Sequence, residues 1–157
     1  MSETVIQVTS LGKRIKGKTI LEDISFEINQ GDCVALIGPN GAGKTVLMSC
    51  ILGDKKPSSG QVLIDGKAGK AKNKIAVLLQ ENTIPNSLKV EELIAFFQSI
   101  SDNPLTNQEV QELLQFKEDQ YQQFADKLSG GQRRLLAFVL CLIDRPKILF
   151  LDEPTAG

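Results

Sequence analysis

Hydrophobic and polar positions alternate in the first third of the chain and take on a helical spacing over most of the remainder. The alternating segments and the continuous apolar runs predict strands at residues 5–8, 19–28, 32–38, 61–65, 74–80 and 148–151. The strand at 32–38 has the apolar centre Val34–Ile37 and follows a turn at Asn29–Gly31. The run at 74–80 is continuously apolar, which is typical of a parallel strand that is buried on both faces.

The helical spacing predicts helices at residues 43–52, 91–100, 106–116 and 129–143. The second of these places its apolar side chains on one face, namely Leu93, Ile94, Phe97 and Ile100. Thr106 stands three residues before Glu109, which is the pattern of a capping box. Residues of about 88–127 are therefore expected to form a largely helical insert between strand-bearing segments. Strands that alternate with helices favour an α/β fold with a parallel sheet.

Composition and charge narrow the class of protein. The 157 residues are 41% hydrophobic and 24% charged, which is typical of a globular chain. The 18 basic and 19 acidic residues nearly cancel, so net charge gives no reason to expect a nucleic-acid partner or an anionic membrane surface. The longest apolar run, Leu135–Ile143, is too short to cross a bilayer core of about 30 Å. Cys33, Cys50 and Cys141 are expected to be buried, reduced thiols.

A glycine-rich loop between a predicted strand and a predicted helix carries the clearest chemistry. It fits the phosphate-binding pattern G-x-x-x-x-G-K-[ST] with Gly38, Pro39, Asn40, Gly41, Ala42, Gly43, Lys44 and Thr45. Glycines let backbone N–H groups turn toward an anion, and the helix that starts there adds unpaired donors. Lys44 is expected to reach the β- and γ-phosphates of a nucleotide, and the Thr45 hydroxyl to bind Mg²⁺. The alternative is an ordinary strand–turn–helix corner. A dinucleotide-binding loop is excluded, because Val46 stands at its third glycine position.

The segment Ile148–Pro154 is the expected counterpart of this loop, since it is an apolar strand that ends in two acids. A strand of a parallel sheet would carry Asp152 and Glu153 to the edge where ligands bind. Asp152 is predicted to bind Mg²⁺, and Glu153 to polarise the attacking water as general base. The alternative is a strand end with two solvated acids.

The stretch LSGGQ, Leu128–Gln132, begins the last predicted helix and allows two interpretations. Ser129 with Gln132 forms an ordinary capping box. Gly130 and Gly131, however, lower helix propensity by about 1 kcal/mol each. Their benefit would be the close approach of the backbone to an anion at the helix N-terminus.

Together these motifs resemble the ATP-binding-cassette (ABC) ATPases, the nucleotide-binding subunits of ABC transporters. The glycine loop at 38–45, Gln80 at a strand end, LSGGQ at 128–132 and LDEP at 151–154 occur in that family's order and approximate spacing. The resemblance covers essentially the whole chain. It implies a P-loop NTPase core with an N-terminal antiparallel β segment and a helical insert that carries the LSGGQ signature.

The resemblance also implies ATP and Mg²⁺ as ligands and a head-to-tail dimer with a second ATPase subunit. The residues that would contact the nucleotide bound by the other subunit are Ser129, Gly130, Gly131 and Gln132. Catalysis would rest on Lys44, Gln80 and Glu153, with Gln80 beside the Mg²⁺ and the attacking water. The other implied partner is a membrane-spanning permease on a separate chain, which would hold this subunit at the cytoplasmic face of the membrane.

Three features depart from the family pattern. Ile15 stands where an aromatic side chain usually stacks on adenine, so we expect weak base selectivity, which competition between ATP and GTP would test. The chain contains no histidine, whereas the family carries one that contacts the γ-phosphate. The chain stops at Gly157, before a strand that the family places beside the glycine-loop strand. The single domain at 1–157 is therefore expected to be incomplete at its C-terminus and slow in ATP turnover.

The sequence also indicates a direction of transport, and two alternatives to a transporter subunit remain open. Residues 80–100 favour an exporter of the drug or bacteriocin type over an importer. One alternative is a soluble ABC ATPase that is not part of a transporter. The other is a truncated cassette that binds ATP without hydrolysing it.

Overall fold

The computed structural model describes residues 3–68, 75–79 and 84–152 of the chain. These residues belong to two compact units, residues 1–72 and 73–157. Within the described ranges, no helix has the length and hydrophobicity needed to cross a membrane. Each unit is presented by itself below.

The first unit is built on an antiparallel sheet. A long hairpin joins β1, Thr4–Ile15, to β2, Lys18–Asn29, through Lys16 and Gly17, which both have positive φ. Strand β3, Ser59–Ile64, pairs with the other edge of β1, and the Asp65-Gly66 turn leads to the short β4, Lys67–Ala68. The strand order is β2-β1-β3-β4. The strands predicted at 5–8, 19–28 and 61–65 are confirmed, and the hairpin strands are longer than the alternation indicated.

One helix belongs to this unit, α1, Lys44–Ile51, and it follows the glycine loop as predicted. It buries Leu47, Cys50 and Ile51, while the sheet buries apolar side chains of β1, β2 and β3. The buried sheet residues are Val5, Ile6, Val8, Leu11, Leu21 and Ile64. Burial of these side chains, at about 25 cal/mol per Å² of apolar surface, is the main stabilising term of the unit.

The strand predicted at residues 32–38 is not formed. Val34 and Ile37 are 60% and 89% exposed, and no described strand pairs with this segment. A strand needs a neighbour to accept and donate its backbone hydrogen bonds, so apolar alternation alone does not produce one. The prediction of buried thiols is wrong at Cys33 for the same reason, since it lies in this exposed segment. Cys50 is buried and Cys141 is half-buried, and burial raises the pKa of both thiols.

The second unit contains two parallel strands and most of the helices. Strand β5, Ile75–Leu78, pairs in register with β6, Ile148–Leu151. The helices are α2, Val90–Ser99, α3, Asn107–Leu114, α4, Glu118–Gln122, a 3-10 turn at Ala125–Lys127, and α5, Gly130–Leu142. Their shared core includes the fully buried Leu93, Leu136 and Val139. This parallel pair is the part of the predicted parallel sheet that the described residues contain.

The predicted apolar face of α2 is correct at Leu93 and Ile94, which are buried, and wrong at Ile100. Ile100 is 66% exposed because α2 ends at Ser99, so Ile100 caps the helix instead of continuing its buried face. Phe97 is partly buried against the core. The helical spacing therefore predicted burial correctly only within the residues that form α2.

The start of α3 is fixed by a reciprocal pair of hydrogen bonds. The Thr106 Oγ1 accepts from the Glu109 N–H at 3.2 Å, and Glu109 Oε2 accepts from the Thr106 N–H at 2.8 Å. Arg145 Nη2, from the turn after α5, donates to the same Glu109 oxygen at 2.6 Å. The Thr106 backbone bond and then the Arg145 bond hold the pKa of Glu109 below its usual value. The predicted capping box is confirmed.

Because the pKa of Glu109 is lowered in the folded chain, its stabilising effect is present above its usual pKa of 4.5 and is lost as the pH falls through the lowered value. We expect Glu109→Gln to lower the melting temperature at pH 7, and the difference from the parent chain to shrink toward pH 3. Glu112→Gln on the same helix is the matched control, since Glu112 accepts a hydrogen bond only from Gln108 Nε2 among the bonds described for it. Equal effects of the two substitutions at pH 7 would contradict this account.

Candidate functional site

The glycine loop, residues 38–45, connects the exposed segment 32–37 to α1. Gly41 and Gly43 adopt positive φ of 80° and 94°, a conformation that L side chains rarely take. A Cβ on Gly43 would also lie 2.9 Å from Leu21 Cδ2 and 3.2 Å from the Ile20 carbonyl oxygen. Gly43 is thus required both by its backbone angle and by its contact with β2.

The N-terminus of α1 lacks a side-chain hydrogen bond that the other α-helices of the described residues share. At the starts of α2, α3, α4 and α5, a side chain accepts a hydrogen bond from the N-cap N–H, and these side chains are Glu92, Glu109, Gln120 and Gln132. In α1 the equivalent residue is Val46, and the N-cap Gly43 makes no side-chain bond. No hydrogen bond is described for the first-turn N–H groups of Lys44, Thr45 and Val46, so these groups remain as donors for an anion.

Lys44 and Thr45 lie in that first turn, as predicted. The Lys44 ammonium donates to the carbonyl oxygens of Gly38 and, at 2.9 Å, of Pro39. Its charge is therefore held over the loop, close to the bare N–H groups. Thr45 is exposed one residue further along, so its hydroxyl is accessible to a cation. A hydroxyl oxygen beside a phosphate site fits Mg²⁺, which prefers oxygen ligands and keeps several waters.

The signature helix begins with the capping box that was one of its two interpretations. Ser129 Oγ accepts from the Gln132 N–H at 3.2 Å, and Gln132 Oε1 accepts from the Ser129 N–H at 3.0 Å. Gly130 and Gly131 are not explained by packing, because a Cβ on either would have no atom within 4 Å. The fold does not require glycine at these positions, which favours a requirement from outside the chain.

Asp152 lies at the end of the parallel strand pair. Its N–H donates to the Leu78 carbonyl at 2.9 Å, and Leu151 pairs with Leu78. The carboxyl ends of the two strands therefore lie at the same edge of the pair, where Asp152 follows β6 and Leu79 follows β5. Gln80 and Glu153 lie outside the described residues, so their roles stay predictions. The glycine loop belongs to the first unit, whereas LSGGQ and Asp152 belong to the second.

Two residues of this region were missed by the sequence reasoning. Arg133, in the first turn of α5, donates from Nη2 to Asn86 Oδ1 at 2.9 Å. Nearby, Leu88 accepts from the Ala125 N–H at 3.0 Å, and the Val90 N–H donates to Gln123 at 3.1 Å. Hydrogen bonds thus connect residues 86–90, which follow β5, to residues 123–133, which contain the LSGGQ signature. A contact between residues 47 positions apart leaves no periodic signal in a single sequence.

Comparison with known proteins finds similarity over most of the chain. A family model described as "ABC transporter" matches residues 21–156. The methionine import ATP-binding protein MetN of Legionella pneumophila (strain Paris) is 36% identical over 166 aligned positions, which cover 98% of this chain and 49% of that protein. The spermidine/putrescine import ATP-binding protein PotA of Protochlamydia amoebophila is 36% identical, covering 94% and 42%.

A similarity of structure accompanies the similarity of sequence. The solved structure of cbiO1 from Clostridium perfringens, described as part of the ABC transporter complex cbiONQ, matches with a TM-score of 0.83 and 27% identity, covering 99% of this chain and 67% of that one. The chain spans about half the length of the curated relatives it matches.

The expected preference for an exporter is not supported, because these curated relatives are named import proteins.

Substitution by alanine is expected to have opposite effects on stability at Gly131, which has open space around it, and at Gly43, which is in a left-handed conformation. Gly131→Ala should raise the free energy of unfolding by about 0.5–1 kcal/mol, since alanine favours the helix and meets no neighbour. Gly43→Ala should lower it by about 1–3 kcal/mol, because of the left-handed backbone and the contact with Leu21. Urea denaturation followed by circular dichroism measures both. Destabilisation by Gly131→Ala would show that the fold itself requires that glycine.

Proposed function

Because this chain belongs to the ABC transporter family, whose ATP-binding subunits are ATPases, we propose that it binds and hydrolyses ATP to power a transporter. The observation that carries the proposal is the N-terminus of α1. There, unpaired N–H groups and the Lys44 ammonium lie together over a loop of glycines. Such a group of donors suits the β- and γ-phosphates of a nucleotide.

The roles proposed for the individual residues are those that the resemblance to the ABC family implies. The loop residues, Gly38 to Thr45, wrap the phosphates, and Lys44 exchanges its carbonyl partners for phosphate oxygens. Thr45, Gln80 and Asp152 are the residues that would hold Mg²⁺ if the family pattern applies. When bound, the cation neutralises negative charge on the phosphates. Glu153 accepts a proton from the attacking water as general base.

Pairing of two subunits completes this site in the proposal. Ser129 to Gln132 of one subunit contact the nucleotide on the glycine loop of the other, in a head-to-tail dimer. The support is the surface at Gly130 and Gly131, which is open where side chains would otherwise stand. The Ser129 hydroxyl accepts a bond from the Gln132 N–H, so its proton remains free for a phosphate oxygen.

A permease on a separate chain is the second proposed partner, and it would hold the subunit at the inner face of the membrane. We propose import as the direction, supported by the names of the curated relatives. Solute uptake by cells that carry the parent protein or its Lys44→Ala variant tests the direction. Solute retained inside the variant cells, instead of excluded from them, would contradict import.

Removing Lys44 tests the nucleotide site. Lys44→Ala should weaken binding of a fluorescent ATP analogue about 10- to 100-fold, since one charge-assisted hydrogen bond contributes about 1.5–3 kcal/mol. Lys67→Ala on β4 is the control, because it removes the same charge from another exposed site of the first unit. Turnover is assayed in the same samples, so that binding and hydrolysis are judged separately. Equal binding by both variants would refute the site.

Removing two helix caps tests the role of LSGGQ. Ser129→Ala and Thr106→Ala each delete an N-cap that accepts from the third helical residue, so each should cost about 1 kcal/mol of stability. Only Ser129→Ala should also weaken the ATP-dependent dimer. Sedimentation velocity with Mg²⁺ and ATP, in a Glu153→Gln background that slows hydrolysis, measures the dimer. A similar loss of dimer in both variants would assign Ser129 a purely structural role.

A further inference from the structure

A cluster of basic side chains surrounds the tip of the β1–β2 hairpin. We name this cluster the basic rim, and its members are Lys13, Arg14, Lys16, Lys18, Lys55 and Lys56. The first four belong to the hairpin, and the last two to the loop that follows α1. Hydrogen bonds join the two segments: Lys13 Nζ donates to the Lys56 carbonyl, the Arg14 N–H donates to Ser58 Oγ at 3.0 Å, and the Ser58 N–H donates to the Gly12 carbonyl at 2.8 Å.

Within the described residues, the basic rim has no ion-pair partner, although Asp54 precedes Lys55 in the sequence. All its members are exposed except Lys13, which is half-buried. Among the described residues, no carboxylate forms an ion pair with any of them, and the ion pairs that are present, Arg145–Glu109 and Lys127–Asp126, belong to the second unit. The near-neutral balance of 18 basic to 19 acidic residues therefore conceals a local excess of positive charge.

The basic rim lies beside the glycine loop, within the same unit. Gly43 contacts β2 at Ile20 and Leu21, and Leu21 pairs with Lys13 across the hairpin. Helix α1, which at 1.5 Å per residue is about 12 Å long, connects the glycine loop to Lys55 and Lys56. Lys13 and Lys55 are near enough to Cys50 for their charges to oppose the burial that raises the pKa of its thiol. The two ends of α1 thus share one positive field.

We propose that the basic rim attracts the polyphosphate of the nucleotide and raises its rate of association with the glycine loop. The proposal rests on the proposed function, since it concerns the same bound nucleotide. The rim guides the anion toward the loop but does not contact it once it is bound. Clustered charges of one sign raise association rates by about 10- to 1000-fold. Because the rim acts on phosphate charge, it would serve ATP and GTP alike.

The effect of the rim on nucleotide association should depend on salt, because the rim acts on the nucleotide from a distance. The screening length is about 10 Å at 0.1 M salt and about 30 Å at 0.01 M, so the rim reaches an approaching anion mainly at low salt. The contacts of the glycine loop are short and are screened much less. The rim should therefore affect the association rate constant and leave the dissociation rate constant nearly unchanged.

Stopped-flow binding of fluorescent ATP and GTP analogues to the 157-residue chain tests this, from 10 to 300 mM salt. Lys16→Glu/Lys18→Glu and Lys55→Glu/Lys56→Glu should each reduce association about tenfold at low salt and flatten its salt dependence. Dissociation should change less than about twofold. Lys67→Glu/Lys117→Glu carries the same change of net charge at exposed residues that are not members of the rim, and it should behave as the parent chain. Lys16→Gln/Lys18→Gln is the milder variant, and circular dichroism confirms that each variant folds.

Unchanged association in the rim variants, or an equal loss in the control, overturns the proposal. So does a change confined to dissociation, which would mean direct contact with the bound nucleotide. Rim variants that lose binding to an RNA oligonucleotide or to anionic vesicles, while nucleotide association is unchanged, assign the rim to another partner and also overturn it. Failure of the parent chain to bind nucleotide, or binding that Lys44→Ala does not weaken, refutes the proposed function itself and the rim proposal with it.

Discussion

The N–H groups at the start of a helix have no partner within the helix, and the start of α1 differs from the other helix starts in how these groups are bonded. In α2 to α5 a side chain three residues into the helix accepts from the N-cap N–H, and in α3 and α5 the N-cap side chain also accepts from an N–H of the first turn. In α1 the equivalent position is Val46 and the cap is Gly43. An uncapped start is costly in a purely structural helix, and it is what a phosphate-binding helix needs.

The β1–β2 hairpin makes that uncapped start possible. Gly43 lies against Ile20 and the buried Leu21, so the left-handed turn into α1 is held by β2 as well as by its own loop. The same hairpin carries Ile15 and the basic rim at its tip. One pair of strands therefore supports the phosphate loop, presents the side chain expected near the base, and holds positive charge around both. The chemistry of the loop depends on this support.

Local features of the fold could be predicted from the sequence, and features that depend on distant partners could not. The capping boxes at Thr106 and Ser129 were correct, because they involve residues three positions apart. The strand at 32–38 was wrong, because alternation gives a segment two faces but cannot supply a neighbour. The bond from Arg133 to Asn86 was missed, because it joins helix α5 to a distant segment through tertiary structure. In the candidate site, the residue types of the glycine loop and its unpaired donors were evident from the sequence, whereas the contact of Gly43 with Ile20 and Leu21 required the structure.

The segment Val34–Ile37 has a consequence for the behaviour of the chain in concentrated solution. It presents exposed β-branched and aliphatic side chains on backbone that no described strand pairs with. Such a segment is a template for pairing with an identical segment of another molecule. Proline and charge, the usual protections of an exposed edge, are absent from these four residues. Intermolecular β-pairing, and with it aggregation, is therefore expected to begin directly upstream of the glycine loop.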